Sequence, residues 1–124
     1  MKDYILEATS STPKVELKVS PAGMLLEGAC YPENAVGFFG SIMDWLKEFT
    51  TEVRKPLEMN VRLEYFNTSS SKCLLDLFEA MEGYRAEGGE VVINWHYCED
   101  DEDILESGEE FSEDLSVPFN LVSY

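Results

Sequence analysis

The amino-acid sequence predicts an α/β fold in which a mixed β-sheet carries its helices mainly on one face. Residues 57–65 alternate apolar and polar side chains without a break, the pattern of a half-buried strand. Strands of this kind alternate with helical patterns across short loops, which favours parallel pairing through right-handed crossovers. The polar residues of 57–65 would all project from one side, so that side cannot be covered by helices, and a doubly wound sheet is disfavoured; they are Glu58, Asn60, Arg62 and Glu64.

The predicted order of elements is β-β-α-β-α-β-α-β. Residues 1–13 are expected to be irregular or an edge segment, and a turn at Ser20-Pro21-Ala22-Gly23 joins the first two strands into a hairpin. The first helix opens at Pro32-Glu33-Asn34 and ends before Pro56, which cannot extend it. The remaining elements are a strand at 57–66, a helix at 70–85 that stops at two glycines, a strand at 91–97, a helix at about 100–115 and a closing strand at 118–122.

Length and charge restrict the functions that this chain can have. Its 124 residues, 44% of them hydrophobic, predict a single domain over 1–124. The net charge of −16 and the lack of clustered Lys and Arg make nucleic acid and anionic membranes poor partners. No apolar run is long enough for a transmembrane helix. The start of the sequence, Met1-Lys2-Asp3-Tyr4, has no apolar h-region, so we expect no signal peptide and a location in the cytoplasm.

The segment Phe66-Asn67-Thr68-Ser69-Ser70-Ser71-Lys72 lies where the strand at 57–66 gives way to the second helix. Asn67, Thr68 or Ser69 is suited to cap that helix, at about 1 kcal/mol. One cap would suffice, however, and four hydroxyls follow one another. Hydroxyls on exposed backbone at the positive end of a helix can also bind an anion or become one by phosphorylation.

Other residues give only weak indications of catalysis or metal binding. His96 is the only histidine, and no neighbouring Ser or Cys suggests a triad. The acids at 99–103 lack the EF-hand spacing, and the dipole of a helix beginning there explains them without a metal ligand. No Gly-rich phosphate loop occurs, so we expect no cofactor and no metal, and nothing positively supports an enzyme. A small metal-dependent hydrolase using His96 and the acids near residue 100 remains the alternative from another class.

Several motifs in order resemble the SiaC-type regulatory phosphoproteins of bacteria. They are Tyr31-Pro32-Glu33-Asn34, Asn67-Thr68-Ser69-Ser70, Trp95-His96-Tyr97, Glu109-Glu110-Phe111 with Asp114, and Pro118-Phe119. The resemblance runs from about Ser11 to the C-terminus. It implies a fold similar to the STAS fold of anti-sigma factor antagonists such as SpoIIAA, which matches the predicted element order.

The same resemblance implies a function that composition does not show. A GHKL-type Ser/Thr kinase and a PP2C-type phosphatase are expected to act on Thr68, with Asn67, Ser69 and Ser70 as its environment or as partner contacts. Ser71 lengthens the hydroxyl run, so a neighbouring serine could accept the phosphate instead. The unphosphorylated protein is expected to bind and activate a diguanylate cyclase, raising cyclic-di-GMP and favouring aggregation or biofilm growth. An anti-sigma antagonist acting on an anti-sigma kinase is the alternative within this fold.

Overall fold

Six strands and three α-helices make up the chain, and the computed structural model describes all 124 residues. The strands are β1 (Tyr4–Leu6), β2 (Lys14–Val19), β3 (Ala22–Cys30), β4 (Leu57–Phe66), β5 (Val91–Tyr97) and β6 (Phe119–Ser123). The helices are α1 (Ala35–Glu48), which continues into a π-helical turn at Phe49–Val53, α2 (Thr68–Ala86) and α3 (Glu102–Ser112). None of the helices has the length and apolar character that crossing a membrane requires.

The sheet is mixed, as the sequence predicts. Its strand order is β1-β2-β3-β4-β5-β6. The pairs β1–β2 and β2–β3 are antiparallel, and the pairs β3–β4, β4–β5 and β5–β6 are parallel. Each parallel pair is joined by a helix, so the chain builds an antiparallel ribbon first and then adds three strand–helix–strand crossovers.

Strand β1 is an addition to the predicted order of elements. The first 13 residues were expected to be irregular or an edge segment, and three of them form a short edge strand. Two distant contacts flank it: the Asp3 carboxylate accepts from the Val19 backbone N–H at 2.9 Å, and the Trp45 indole donates to the Lys2 carbonyl at 3.0 Å. A strand that depends on such contacts leaves no local periodicity for a sequence pattern to reveal.

The helices cover one face of the sheet, which confirms the prediction from the alternation in β4. Leu57, Met59, Val61 and Leu63 are buried, whereas the polar residues between them are exposed or half-buried. The inward residues of the sheet and of all three helices join one hydrophobic cluster of 25 buried residues, so there is one core. The other face of the sheet stays open and polar.

Tyr65 departs from that alternation. It should continue the buried set of β4, yet 54% of its surface is exposed. The pairing of β3 with β4 shifts between Gly28 and Ala29, so that Gly28 pairs with Leu63 but Ala29 pairs with Tyr65. Such a bulge inserts one extra residue and redirects the side chains beyond it. Beyond the bulge the alternation is inverted, so Tyr65 faces outward and Phe66, the last residue of β4, packs against the core just before the hydroxyl-rich segment.

Candidate functional site

The junction between β4 and α2 is held by a cap that involves neither Thr68 nor Ser69. Asn67 has extended backbone angles, and its side-chain Oδ1 accepts from the Ser70 backbone N–H at 2.9 Å. The Asn67 N–H donates in turn to the Cys30 carbonyl at the end of β3, at 3.1 Å. Because Asn67 performs the capping that the sequence left open among three residues, the Thr68 hydroxyl is not needed to start the helix.

The four hydroxyls of this segment have different surroundings. Helix α2 begins at Thr68 rather than Ser70, which places the whole run in its first turn. Thr68 and Ser69 are exposed, Ser71 is half-buried and Ser70 is fully buried. The Ser70 hydroxyl accepts from the Cys30 thiol at 3.5 Å inside the core. The folded chain therefore presents two of these hydroxyls fully to an enzyme.

The burial of Ser70 corrects its expected role as a partner contact or substitute phosphate acceptor. Ser70, the third residue of α2, points back toward the sheet because the first turn of the helix packs against the end of β3. A phosphate there would place a dianion in the core without a cation to pair with it. Ser70 helps to hold the junction in place, and the accessible hydroxyls are those of Thr68 and Ser69.

The start of α2 keeps the positive partial charge of a helix N-terminus. Its first turn contains no acidic residue, although the chain carries 25 acids. The first turn of α3, by comparison, contains Glu102 and Asp103. Free N–H groups and the helix dipole favour an added negative charge at such a place by about 0.3–1 kcal/mol. Thr68 thus stands where a phosphate is tolerated by the fold.

An exposed apolar surface adjoins Thr68. The N-terminus of α1 lies beside that of α2, because both helices follow parallel strands of the sheet and are in contact with each other. A surface cavity of about 360 Å³ between them is lined by Val36, Thr68, Ser69, Lys72, Cys73 and Asp76. Val36 is 77% exposed, which is unusual for a branched apolar side chain and the largest exposure among the big hydrophobic residues.

A second exposed pair lies at the same end of the sheet. Tyr31 directly follows β3 and Tyr65 is the penultimate residue of β4. Their ring centroids are 5.8 Å apart in an edge-on arrangement, and both side chains are more than 40% exposed. Sequence reasoning did not identify Val36 or the two tyrosines as an exposed surface. The exposure of Val36 and Tyr65 depends on helix orientation and on the bulge, neither of which leaves a local signal.

The residues of the metal-hydrolase alternative do not come together. His96 lies on the open face of the sheet, where its Nε2 is 3.0 Å from Asn60 Oδ1. Burial, and secondarily the charge of Arg62, lowers the pKa of His96 below its ordinary value. The acids near residue 100 belong to the start of α3, where Asp101 caps the helix by accepting from Ile104 N at 3.0 Å. No group of three His, Cys, Asp or Glu side chains is placed to hold a metal ion.

The fold defines a small α/β protein whose mixed six-stranded sheet has one face covered by helices and one open face, with two accessible hydroxyls at a strand–helix junction. Comparison with known protein families identifies the family. The model described as SiaC family regulatory phosphoprotein matches residues 6–124. The chain belongs to the SiaC family.

Individual relatives agree with this assignment. An uncharacterized protein of Pseudomonas aeruginosa strain UCBPP-PA14 is 36% identical over 124 residues, covering 100% of this chain and 98% of the relative. The crystal structure of apo-SiaC from P. aeruginosa matches with a TM-score of 0.92 at 36% identity, covering 98% of this chain and 99% of that one. SiaC as the activator in complex with the diguanylate cyclase SiaD, also from P. aeruginosa, matches with a TM-score of 0.95 at 35% identity, covering 98% and 100%.

Proposed function

We propose that this chain, acting as one domain over 1–124 in the cytoplasm, is a phosphorylation-controlled activator of a diguanylate cyclase. In its unphosphorylated form it binds the cyclase and raises cyclic-di-GMP, which favours aggregation and biofilm growth. A GHKL-type kinase phosphorylates Thr68 and a PP2C-type phosphatase removes the phosphate. The role as a cyclase activator is supported by the similarity to SiaC in the SiaD complex, and the place of the switch by the exposure of Thr68.

The observation that best supports the switch is that one residue caps α2 while a different residue offers the free hydroxyl. Asn67 supplies the cap, so the Thr68 hydroxyl can be modified without loss of the bond that starts α2. A phosphate adds about −1.5 to −2 charges at pH 7. The helix N-terminus tolerates this charge, and the fold survives. A partner that covers Thr68 must desolvate the dianion, which is costly without a cation to receive it.

The surface beside Thr68 is the proposed contact for the cyclase. Val36 shares a cavity with Thr68, and a solvent-exposed branched apolar residue gains most from being covered by an apolar group of a partner. Contact at Val36 would bring the cyclase over the Thr68 hydroxyl. The same phosphate would then act by direct obstruction, with no change in the conformation of this chain.

Binding to a SiaD-type diguanylate cyclase from the same organism tests the proposal, with SiaD of P. aeruginosa as a second probe. Affinity and cyclic-di-GMP synthesis are measured for the wild type, Thr68→Ala and Thr68→Asp. We expect the wild type and Thr68→Ala to bind within about threefold of each other, and Thr68→Asp to bind at least tenfold more weakly, a difference of about 1.4 kcal/mol. Equal affinities for all three proteins would refute the switch.

Replacing two exposed apolar residues by glutamate, one inside and one outside the proposed contact, tests the contact surface. Val36→Glu places a charge on α1 beside Thr68. Leu75→Glu places the same charge on α2, outside that cavity, at a residue that is 38% exposed. We expect Val36→Glu to weaken binding at least tenfold, whereas Leu75→Glu should change it less than threefold. Binding of the wild type to an anti-sigma kinase and to no cyclase would favour the anti-sigma antagonist instead.

A further inference from the structure

The basic residue nearest to Thr68 along α2 is Lys72, and its position has a consequence for the phosphorylated state. Lys72 follows Thr68 by four residues on the same helix, so the two side chains lie on one helical face. Both line the cavity between α1 and α2, and Lys72 is the only basic residue that does so. The chain has nine basic residues in total, against 25 acids. Thr68 therefore has a single basic residue beside it in this cavity.

Lys72 has no ion-pair partner in the unphosphorylated chain. The ion pairs of the structure join Lys14 to Glu16 and Arg54 to Glu87. The nearest acid on the Lys72 face is Asp76, which also lines the cavity and follows by one helical turn. That order, with the cation on the N-terminal side of the acid, is the weaker of the two arrangements at this spacing. The ammonium group is thus available.

We propose that Lys72 binds the phosphate group on Thr68 once that residue is phosphorylated. The anion then stands on the N-terminal side of the cation at a spacing of four residues, which is the favourable order. A dianion attracts the ammonium more strongly than the single charge of Asp76 does. The other titratable groups lining the cavity are the Cys73 thiol and the Asp76 carboxylate, and neither supplies positive charge.

Pairing of Lys72 with the phosphate would change the surface around Thr68 in two ways. The phosphate is held against α2 rather than extended into solvent, so it stays over the cavity that Val36 lines. Lys72 is also withdrawn from any carboxylate of a partner. Phosphorylation would thus add negative charge and remove the cavity's only cation in one step. This inference rests on the proposed function only in taking Thr68 as the phosphorylated residue.

The second pKa of the phosphate measures the pairing directly, because a nearby cation favours the dianion and lowers that pKa from about 6. Phosphothreonine is incorporated at position 68 during translation, so that no kinase is needed, and the phosphate is titrated by ³¹P NMR. The proteins are the wild type, Lys72→Met, Lys72→Gln and Lys72→Arg. Lys72 is exposed, and all three replacements are good helix formers, so α2 is retained. Lys18→Met removes the same charge from β2 as the matched control.

A helical pair at this spacing contributes about 0.2–0.5 kcal/mol, which corresponds to a pKa change of about 0.15–0.4 at 1.36 kcal/mol per pKa unit. We expect the pKa of the phosphate to rise by about that amount in Lys72→Met and Lys72→Gln, and to stay within about 0.1 of the wild type in Lys72→Arg and Lys18→Met. An unchanged pKa in Lys72→Met, or an equal rise in Lys18→Met, would overturn the proposal. Failure to bind a cyclase would leave this titration unaffected, so the two proposals fail separately.

Discussion

Replacing Asn67 and Thr68 one at a time measures whether capping and phosphate acceptance are separate. Asn67→Ala removes the 2.9 Å bond to the Ser70 N–H and leaves that donor unsatisfied beside a buried side chain. Losing an N-cap of this kind costs about 0.5–2 kcal/mol, typically about 1 kcal/mol. Thr68→Ala removes an exposed hydroxyl and replaces a poor helix former with a good one. Its expected effect is between zero and a stabilisation of about 0.5 kcal/mol.

Urea unfolding followed by far-UV circular dichroism gives both free energies of unfolding. We expect Asn67→Ala to lower the unfolding free energy by about 1 kcal/mol and the melting temperature by about 2–6 °C for a domain of this size. The slope of the urea dependence should be the same for both variants, since neither changes the area that unfolding exposes. If Thr68→Ala destabilises the protein as much as Asn67→Ala does, Thr68 has a structural role and the argument for a spare hydroxyl fails.

Three further predictions concern burial and packing. Ser70→Asp should destabilise the fold by at least about 3 kcal/mol in thermal or urea unfolding, because it buries an unpaired charge, whereas Ser69→Asp should change stability by less than about 0.5 kcal/mol. Gly108→Ala should lower the free energy of unfolding by about 1–3 kcal/mol, since the added methyl group would lie 2.5 Å from a core tryptophan ring. Gly40→Ala, whose methyl group meets open space, should raise the free energy of unfolding by about 0.5–1 kcal/mol in the same urea experiment. The pKa of His96 is lower in the folded chain than its ordinary value of 6.5, so stability should be fully present above pH 6.5 and decline as the pH falls below it. His96→Gln should remove that part of the pH dependence.

Each of these predictions has a result that would contradict it. Equal stabilities of the Ser69→Asp and Ser70→Asp variants would mean that the first turn of α2 is oriented differently from the structure. A neutral Gly108→Ala would mean that α3 is not packed closely on the sheet. For His96, an unfolding free energy that rises as the pH falls below 6.5 would have the wrong sign, because a histidine with a lowered pKa binds fewer protons in the folded state.

Much of the fold follows from local patterns in the sequence. The unbroken alternation of 57–65 predicts both β4 and the open polar face, because alternate residues of a strand point to opposite faces and every second residue here is polar. The helical stripes predict α1 and α2, and the alternation of strands with helices predicts the parallel half of the sheet. The acids at 100–103 are explained by the start of α3. These features repeat over many residues, so an error at one position does not change the conclusion.

The candidate site could be predicted only in part. The hydroxyl-rich segment stands out in sequence because four hydroxyls exceed what a cap requires. Its members cannot be ranked from the sequence, because their exposure depends on how the first turn of α2 is oriented against the end of β3. Ser70 and Thr68 have similar chemistry and nearly the same local pattern, yet one is in the core and the other is exposed.

The sequence by itself determined the class of fold, which face of the sheet is covered and the segment that contains the candidate phosphate acceptor, because periodicity and turn chemistry act over a few neighbouring residues. Only the tertiary structure decided which hydroxyl is accessible, that Val36 of α1 lies beside it, and that the end of β4 carries an exposed tyrosine. Those facts arise from contacts between residues far apart in the chain, where the direction of a helix face and the register of a strand are set by packing rather than by local preference.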